Sequence, residues 1–208
     1  MLYDRDIREP LFDFLEERYE KSRIIEEKQM GRSRADIMMV LPEALVGIEI
    51  KSDADTYARL ERQVKDYDRF FDYNYVVAGS THGLHIGEHV PDWWGIITVE
   101  EAEGQTDFYM LRQPGRNPKT DWRRKLSILW RPELAQLQEW NSLPKYREKS
   151  KDFVIDKLLQ RVSKEELAWQ VSEVLFERDY TEIGQVIREY RASKRKNIRK
   201  KRKTLSLK

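Results

Sequence analysis

Between about Asp6 and Glu20, the apolar residues Ile7, Leu11, Phe14, Leu15 and Tyr19 recur every three or four positions. This predicts an amphipathic first helix with an acidic outer face and Pro10 in its first turn. Three short apolar runs follow, around Ile24-Ile25, Ala35–Val40 and Leu45–Ile50, separated by Gly31-Arg32-Ser33 and Leu41-Pro42-Glu43. Short apolar runs punctuated by turn residues read as consecutive strands of a meander. Helical spacing then returns with Tyr57, Leu60, Val64, Tyr67, Phe70 and Phe71, which predicts a helix from about Thr56 to Phe71 ahead of a strand at Tyr73–Ala78. A helix between two strands is the signature of a crossover onto one sheet. Ile96–Val99 and Phe108–Leu111 are further strands. Past Gln113–Pro118 the pattern becomes helical, and Ser163 with Glu166 forms a capping-box signature ahead of Leu167, Val171, Val174 and Leu175. The expected fold is α/β, a mixed central sheet flanked by helices. Its expected divisions are a core at 1–112, a helical C-terminal annex at 113–190 and a basic, disordered tail at 191–208.

Composition narrows the chemistry. The 208 residues include no cysteine, which removes disulfides, thiolate metal sites and a cysteine nucleophile. No run approaches a membrane span or the apolar part of a signal peptide, so the expected location is cytoplasmic, without membrane contact. The net charge of +2 conceals an asymmetry. Ten of the 39 Lys and Arg fall in 191–208, leaving 29 against 37 acids before it, a net of −8 for the body. Such an arm either contacts nucleic acid phosphates or is simply solvated; Lys194, Arg195, Lys196, Arg199, Lys200, Lys201, Arg202 and Lys203 are its candidate contacts. Neither Gly-x-x-x-x-Gly-Lys nor Gly-x-Ser-x-Gly occurs, which argues against a nucleotide cofactor and against triad hydrolysis.

One constellation stands out. Alternation along the third strand puts Glu49 and Lys51 on one face and Val46, Ile48 and Ile50 on the other. Charges in a strand that otherwise reads as buried are costly unless paired or bound to a metal. Asp36 opens the preceding strand, and a tight turn between the two brings its carboxylate beside Glu49. Two hard oxygen donors suit Mg2+ or Mn2+ rather than Zn2+. An acid-x-Lys triplet is common by chance among 37 acids, and Glu26-Glu27-Lys28 is a decoy of that kind. Taken alone, the triplet is equally compatible with an ion pair on an edge strand.

The longer match is more specific. Arg34-Ala35-Asp36-Ile37, the run Gly47-Ile48-Glu49-Ile50-Lys51-Ser52-Asp53-Ala54-Asp55-Thr56, Arg59-Leu60 and Gln63-Val64-Lys65-Asp66-Tyr67 together resemble the PD-(D/E)XK nuclease superfamily. The last run resembles the Gln-x-x-x-Tyr helix of its RecB-like and Mrr-like members. With Val76-Val77 and Val90–Ile96, the resemblance is to a bacterial and phage branch and covers about half of the chain. It implies a restriction-endonuclease-like fold and a Mg2+- or Mn2+-dependent deoxyribonuclease. In it Asp36, Glu49 and the main-chain carbonyl of Ile50 are metal ligands, Lys51 is the catalytic lysine, and Gln63 and Tyr67 position the nucleophile or hold a phosphate. The superfamily often adds an earlier Glu; Glu27 is the choice here, with Glu26 and Glu17 as rivals. The alternative is a catalytically silent module of the same fold that binds nucleic acid or a protein partner through the C-terminal helices.

Other features have plainer readings. Arg32 and Arg34 flank Asp36 and either meet phosphate or cap a solvated hairpin. His82, His85 and His89 lack helical metal-ligand spacing and read as loop histidines. Trp93-Trp94 reads as packing rather than as a stacking surface.

Overall fold

The computed structural model of the chain describes residues 2–30, 33–83, 85–102 and 104–178, without the side chains of Glu27, Ser80, Thr81 and Gln105. Arg32 and the basic run 191–208 lie outside the described residues. The fold is α/β, built on a six-stranded mixed sheet whose spatial order β1-β2-β3-β4-β5-β6 follows the chain. β1 (Arg23–Met30), β2 (Ser33–Leu41) and β3 (Ala44–Lys51) form the expected antiparallel meander. β4 (Tyr73–Gly79) and β5 (Trp94–Ala102) run parallel to β3, and β6 (Gln105–Arg112) returns antiparallel. Parallel neighbours cannot be joined by a tight turn, and the β3 to β4 connection contains the crossover helix α2 (Leu60–Phe70), entered through a 3-10 turn at Tyr57–Arg59.

The two faces of the sheet carry separate cores. On one, α1 (Asp4–Arg18) sets Ile7, Leu11 and Leu15 against Ile37, Met39, Val46, Ile48, Ile50 and Val77. This helix starts and ends two residues earlier than its periodicity predicts, so Pro10 sits in the second turn rather than the first, where it removes a hydrogen bond to the Asp6 carbonyl. The Asp6 carboxylate accepts the Tyr3 N–H at 3.0 Å and closes the helix start. On the other face, α2 and the C-terminal helices share a core that includes Met38, Val40, Leu45, Tyr67, Phe70, Phe71 and Trp94. A short helix, α3 (Ser80–Gly83), follows β4. The annex consists of α4 (Trp122–Ser127), α5 (Arg131–Trp140), α6 (Lys151–Arg161) and α7 (Lys164–Phe176). The expected cap precedes α7, where the Ser163 hydroxyl accepts the Glu166 N–H at 3.1 Å. Among the described residues, no helix is long and apolar enough to cross a membrane.

Sheet and annex helices belong to one compact unit, Met1–Phe176; the second unit is Glu177–Lys208, of which only Glu177 and Arg178 are described. Polar contacts stitch the segment from Asn117 to Lys125 to the end of α2. Asn117 donates to the carbonyls of Asp68 (2.8 Å) and Phe71 (2.7 Å), satisfying groups that the helix end leaves without partners. Lys125, wholly buried, donates to Asp72 at 2.6 Å, and Asp72 also accepts the Leu45 N–H at 2.8 Å.

Gly47 sets the distance between α2 and β3. A Cβ there would fall 2.2 Å from Phe71 Cδ2 and 2.6 Å from Tyr67 Cδ1. Only the missing side chain lets both rings lie directly on the strand. Gly47→Ala is expected to lower stability by about 1–3 kcal/mol through overpacking, read as a shift in the urea unfolding midpoint, and to loosen Tyr67 in the same step.

Candidate metal and nuclease centre

The β2–β3 ladder ends at the pair Ile37↔Ile48, while β2 stays paired with β1 as far as Met30↔Ser33. Asp36 is therefore the first residue of β2 past its pairing with β3. Backbone groups freed by this divergence must find other partners. The Ile50 N–H is accepted by Asp36 Oδ2 at 2.9 Å. The Asp36 N–H is accepted by the Tyr67 hydroxyl at 3.2 Å, which itself lies within donating distance of Glu49 Oε2 (2.8 Å) and the Ile48 carbonyl (3.1 Å). A carboxylate and a phenol thus occupy the space between two strands.

Glu49 is 1% exposed, and both of its oxygens are held. Oε1 accepts from Lys51 Nζ at 3.0 Å and from the Gln63 amide nitrogen, and Gln63 Oε1 accepts from Lys51 at 3.1 Å. Lys51, Gln63 and Glu49 close a triangle, with Tyr67 on the remaining oxygen. Asp36, Glu49, Lys51, Gln63 and Tyr67 are therefore brought together, with Ile50 joined to them through its N–H. Tyr67 has no exposed surface. It holds Glu49 and the strand opening from within, which leaves Gln63, partly exposed, as the one of the two with access to a bound nucleophile or phosphate. Asp36, with 24% of its side chain exposed, faces the opening to solvent.

Burial is the main force on these acids. It raises the pKa of Asp36, against the pull of the Ile50 N–H and Arg8. Glu49 is pushed up to about 7, first by burial and then by the charge of Asp36, with Lys51 and Tyr67 opposing. Burial, followed by the charges of Glu49 and Asp36, also holds the Tyr67 phenol well above its usual range.

Sequence reasoning did not find Arg8. From α1 its guanidinium donates to the Asp36 carbonyl at 3.2 Å, lies 4.0 Å from Asp36 Oδ1, and pairs with Asp4 at 2.9 Å and Glu26 at 3.5 Å. Only the Asp4/Arg8 spacing of four residues was visible in the sequence, and it does not reveal a contact with β2. Glu26 is engaged by Arg8 on the α1 side, and Glu17 is exposed on α1 itself, so neither joins Glu49. The side chain of Glu27 lies outside the description. Arg34 is exposed on β2, two residues before Asp36. Among the described residues, no group of three or more His, Asp or Glu is placed to hold a metal. Trp93 and Trp94 both donate their indole N–H to buried Asp68, at 3.2 and 2.9 Å, in keeping with packing.

SfsA from Pyrococcus furiosus in complex with Ca2+ is a solved structure similar to this chain at 15% identity and a TM-score of 0.34, covering 53% of this chain and 62% of that one. The likeness spans less than two thirds of that protein. No curated protein sequence matches the chain. A family model described as Bacteriophage P4 protein cII matches residues 1–205, nearly the whole length. The chain belongs to the bacteriophage P4 protein cII family.

Proposed function

We propose that the chain is a divalent-metal-dependent nuclease of the PD-(D/E)XK type, hydrolysing phosphodiester bonds in DNA. The observation that carries this reading is the convergence of Asp36 and Glu49 at the opening between β2 and β3, with Lys51 bonded to Glu49. The donor set fits a hard divalent cation. Among the described residues, the carboxylates of Asp4, Glu26, Asp36 and Glu49 share the cations Arg8 and Lys51. Asp36, Glu49 and the Ile50 carbonyl would hold Mg2+ or Mn2+, which take few protein carboxylates and complete their shell with water. When bound, such an ion lowers the pKa of water and neutralises charge on a phosphate.

Every other part of the chemistry belongs to the side chains. Lys51 presents an ammonium beside Glu49, where it stabilises negative charge developing on a phosphoryl oxygen. Gln63 fixes the distance between Lys51 and Glu49. Tyr67 locks the second oxygen of Glu49 and keeps β2 from closing onto β3. Asp36, the more exposed acid, is the first group that an entering cation meets.

A second reading, a silent module of the same fold that binds nucleic acid without cutting it, is favoured by the closure of the Lys51–Glu49–Gln63 triangle. Cleavage assays on linear, circular and single-stranded DNA separate the two. A nuclease degrades at least one form in Mg2+ or Mn2+ and loses on the order of 10²-fold or more in rate in Lys51→Ala, whereas a silent module cuts none of them.

The pKa of Glu49 fixes a pH signature. An acid whose folded pKa, about 7, lies above its usual 4.5 is protonated in the fold where the unfolded chain has already lost the proton. Its contribution to stability is therefore full below about pH 4.5 and lost as pH rises through 7. In EDTA, the thermal midpoint should fall between pH 5 and pH 8, and Glu49→Gln should remove most of that fall. Metal binding needs the charged carboxylate, so the midpoint gained with Mn2+ should grow over the same interval and vanish in Asp36→Ala. A Mn2+ gain that is equal at pH 5 and pH 8 would exclude Glu49 as a ligand.

A further inference from the structure

The loop histidines have a structural role that the nuclease centre does not absorb. Tyr57, in the 3-10 turn before α2, packs on the core, and its hydroxyl lies 3.0 Å from His82 Nδ1. His82 meets the Tyr57 ring edge-on at 5.0 Å, and His89 stacks on that ring at 3.9 Å with an interplanar angle of 26°. Tyr57 is half-buried, while His89 is exposed. His89 is nonetheless firmly placed, because Ile86 three residues before it and Val90 just after it are both in the core. An exposed loop histidine normally samples many rotamers; this one is pinned on both sides and laid flat on a second ring.

Location gives the stack its meaning. Lys51 pairs with Ala78 on the parallel β3–β4 ladder, which ends there, with β3 stopping at Lys51 and β4 one residue later at Gly79. Tyr57 lies six residues past Lys51, and His82 four past Ala78, so the stack stands beyond the carboxyl ends of the parallel strands, where open α/β sheets take their ligands. Arg59 and Arg62, two and five residues past Tyr57, are exposed, and among the described residues neither makes an ion pair. Of the acids near it along the chain, Glu88 lies 3.2 Å from His85 and Glu61 lies 2.6 Å from Lys65.

We infer that the Tyr57–His89 stack, with Arg59 and Arg62 close to it along the chain, is a seat for an unpaired nucleobase of the nucleic acid strand that enters the centre. A planar base continues a stack of rings, and arginines hold the phosphates on either side of it; the combination binds strands with free bases without reading their sequence. In a duplex the base faces are already covered by their neighbours, so the seat selects single strands and frayed or overhanging ends. This inference rests on the nuclease reading for the strand that it holds.

Binding in EDTA tests it independently of cleavage. Fluorescence anisotropy of the full chain with a labelled single-stranded oligonucleotide, the same strand carrying a block of abasic sites, and a blunt duplex should rank the intact single strand first. His89→Ala should weaken binding of that strand by about tenfold and leave the abasic strand unchanged. His89→Phe, which keeps a ring, should restore the affinity. Equal affinity for the intact and abasic strands, or an unchanged constant in His89→Ala, would overturn the seat. Cleavage measured in parallel with Mn2+ separates the two readings: active cutting with base-independent binding removes the seat alone. Base-dependent binding with no cutting keeps the seat and removes the nuclease.

Discussion

The candidate centre depends on one interruption of strand pairing. β2 and β3 are bonded from Leu41↔Ala44 to Ile37↔Ile48 and then separate, although both continue as strands on their other sides. Unpaired backbone groups at such a point cost about as much as lost hydrogen bonds unless something replaces the ladder. Here the replacements are side chains of the candidate centre, the Asp36 carboxylate on the Ile50 N–H and the Tyr67 hydroxyl between the Asp36 N–H and the Ile48 carbonyl. The opening is therefore built and occupied by the same residues, and Asp36 cannot be moved without leaving the Ile50 N–H unsatisfied.

That arrangement constrains the packing above it. The Tyr67 hydroxyl reaches the sheet only because α2 lies close to β3, and α2 lies close because position 47 has no side chain. The end of α2 is then fixed from the annex by Asn117, and the turn after it by the buried Asp72–Lys125 pair, which also holds the Leu45 N–H. The C-terminal helices thus act on the centre at a distance, by setting the height and tilt of the helix that carries Gln63 and Tyr67. Removing one partner of a buried, hydrogen-bonded ion pair is strongly destabilising, so Asp72 and Lys125 are expected to matter for the centre although neither touches it.

Much of this was legible in the sequence, for identifiable reasons. Strand alternation placed Glu49 and Lys51 opposite Val46, Ile48 and Ile50, and the cores divide along that line because a period of two leaves no other choice once one face is apolar. The spacing from Leu60 to Phe70 similarly determined which side of α2 faces the sheet. What the residues could not reveal was where pairing stops. That depends on register between strands, and it decides that the Tyr67 hydroxyl meets the backbone of both strands as well as Glu49. Arg8 was invisible for a related reason, since a charged residue on an amphipathic helix reads as solvated until the helix is docked. The seven-residue depth of Pro10 in α1 was misjudged because the helix begins earlier than its first apolar residue.

The electrostatics of the opening explain why Lys51 and Arg8 do not by themselves settle it. Each cation is shared: Arg8 serves Asp4, Glu26 and the backbone and carboxylate of Asp36, while Lys51 divides its donors between Glu49 and Gln63. Glu49 accordingly stays near neutral pH in its titration despite an ammonium 3.0 Å away, because burial and Asp36 outweigh it. Asp36 satisfies the Ile50 N–H, but its charge also raises the free energy of the charged state of Glu49. Strain of this kind is retained where a bound charge relieves it. On the proposed reading, a divalent cation offsets the charge of Asp36 and Glu49, and relief of their repulsion above neutral pH contributes to its affinity.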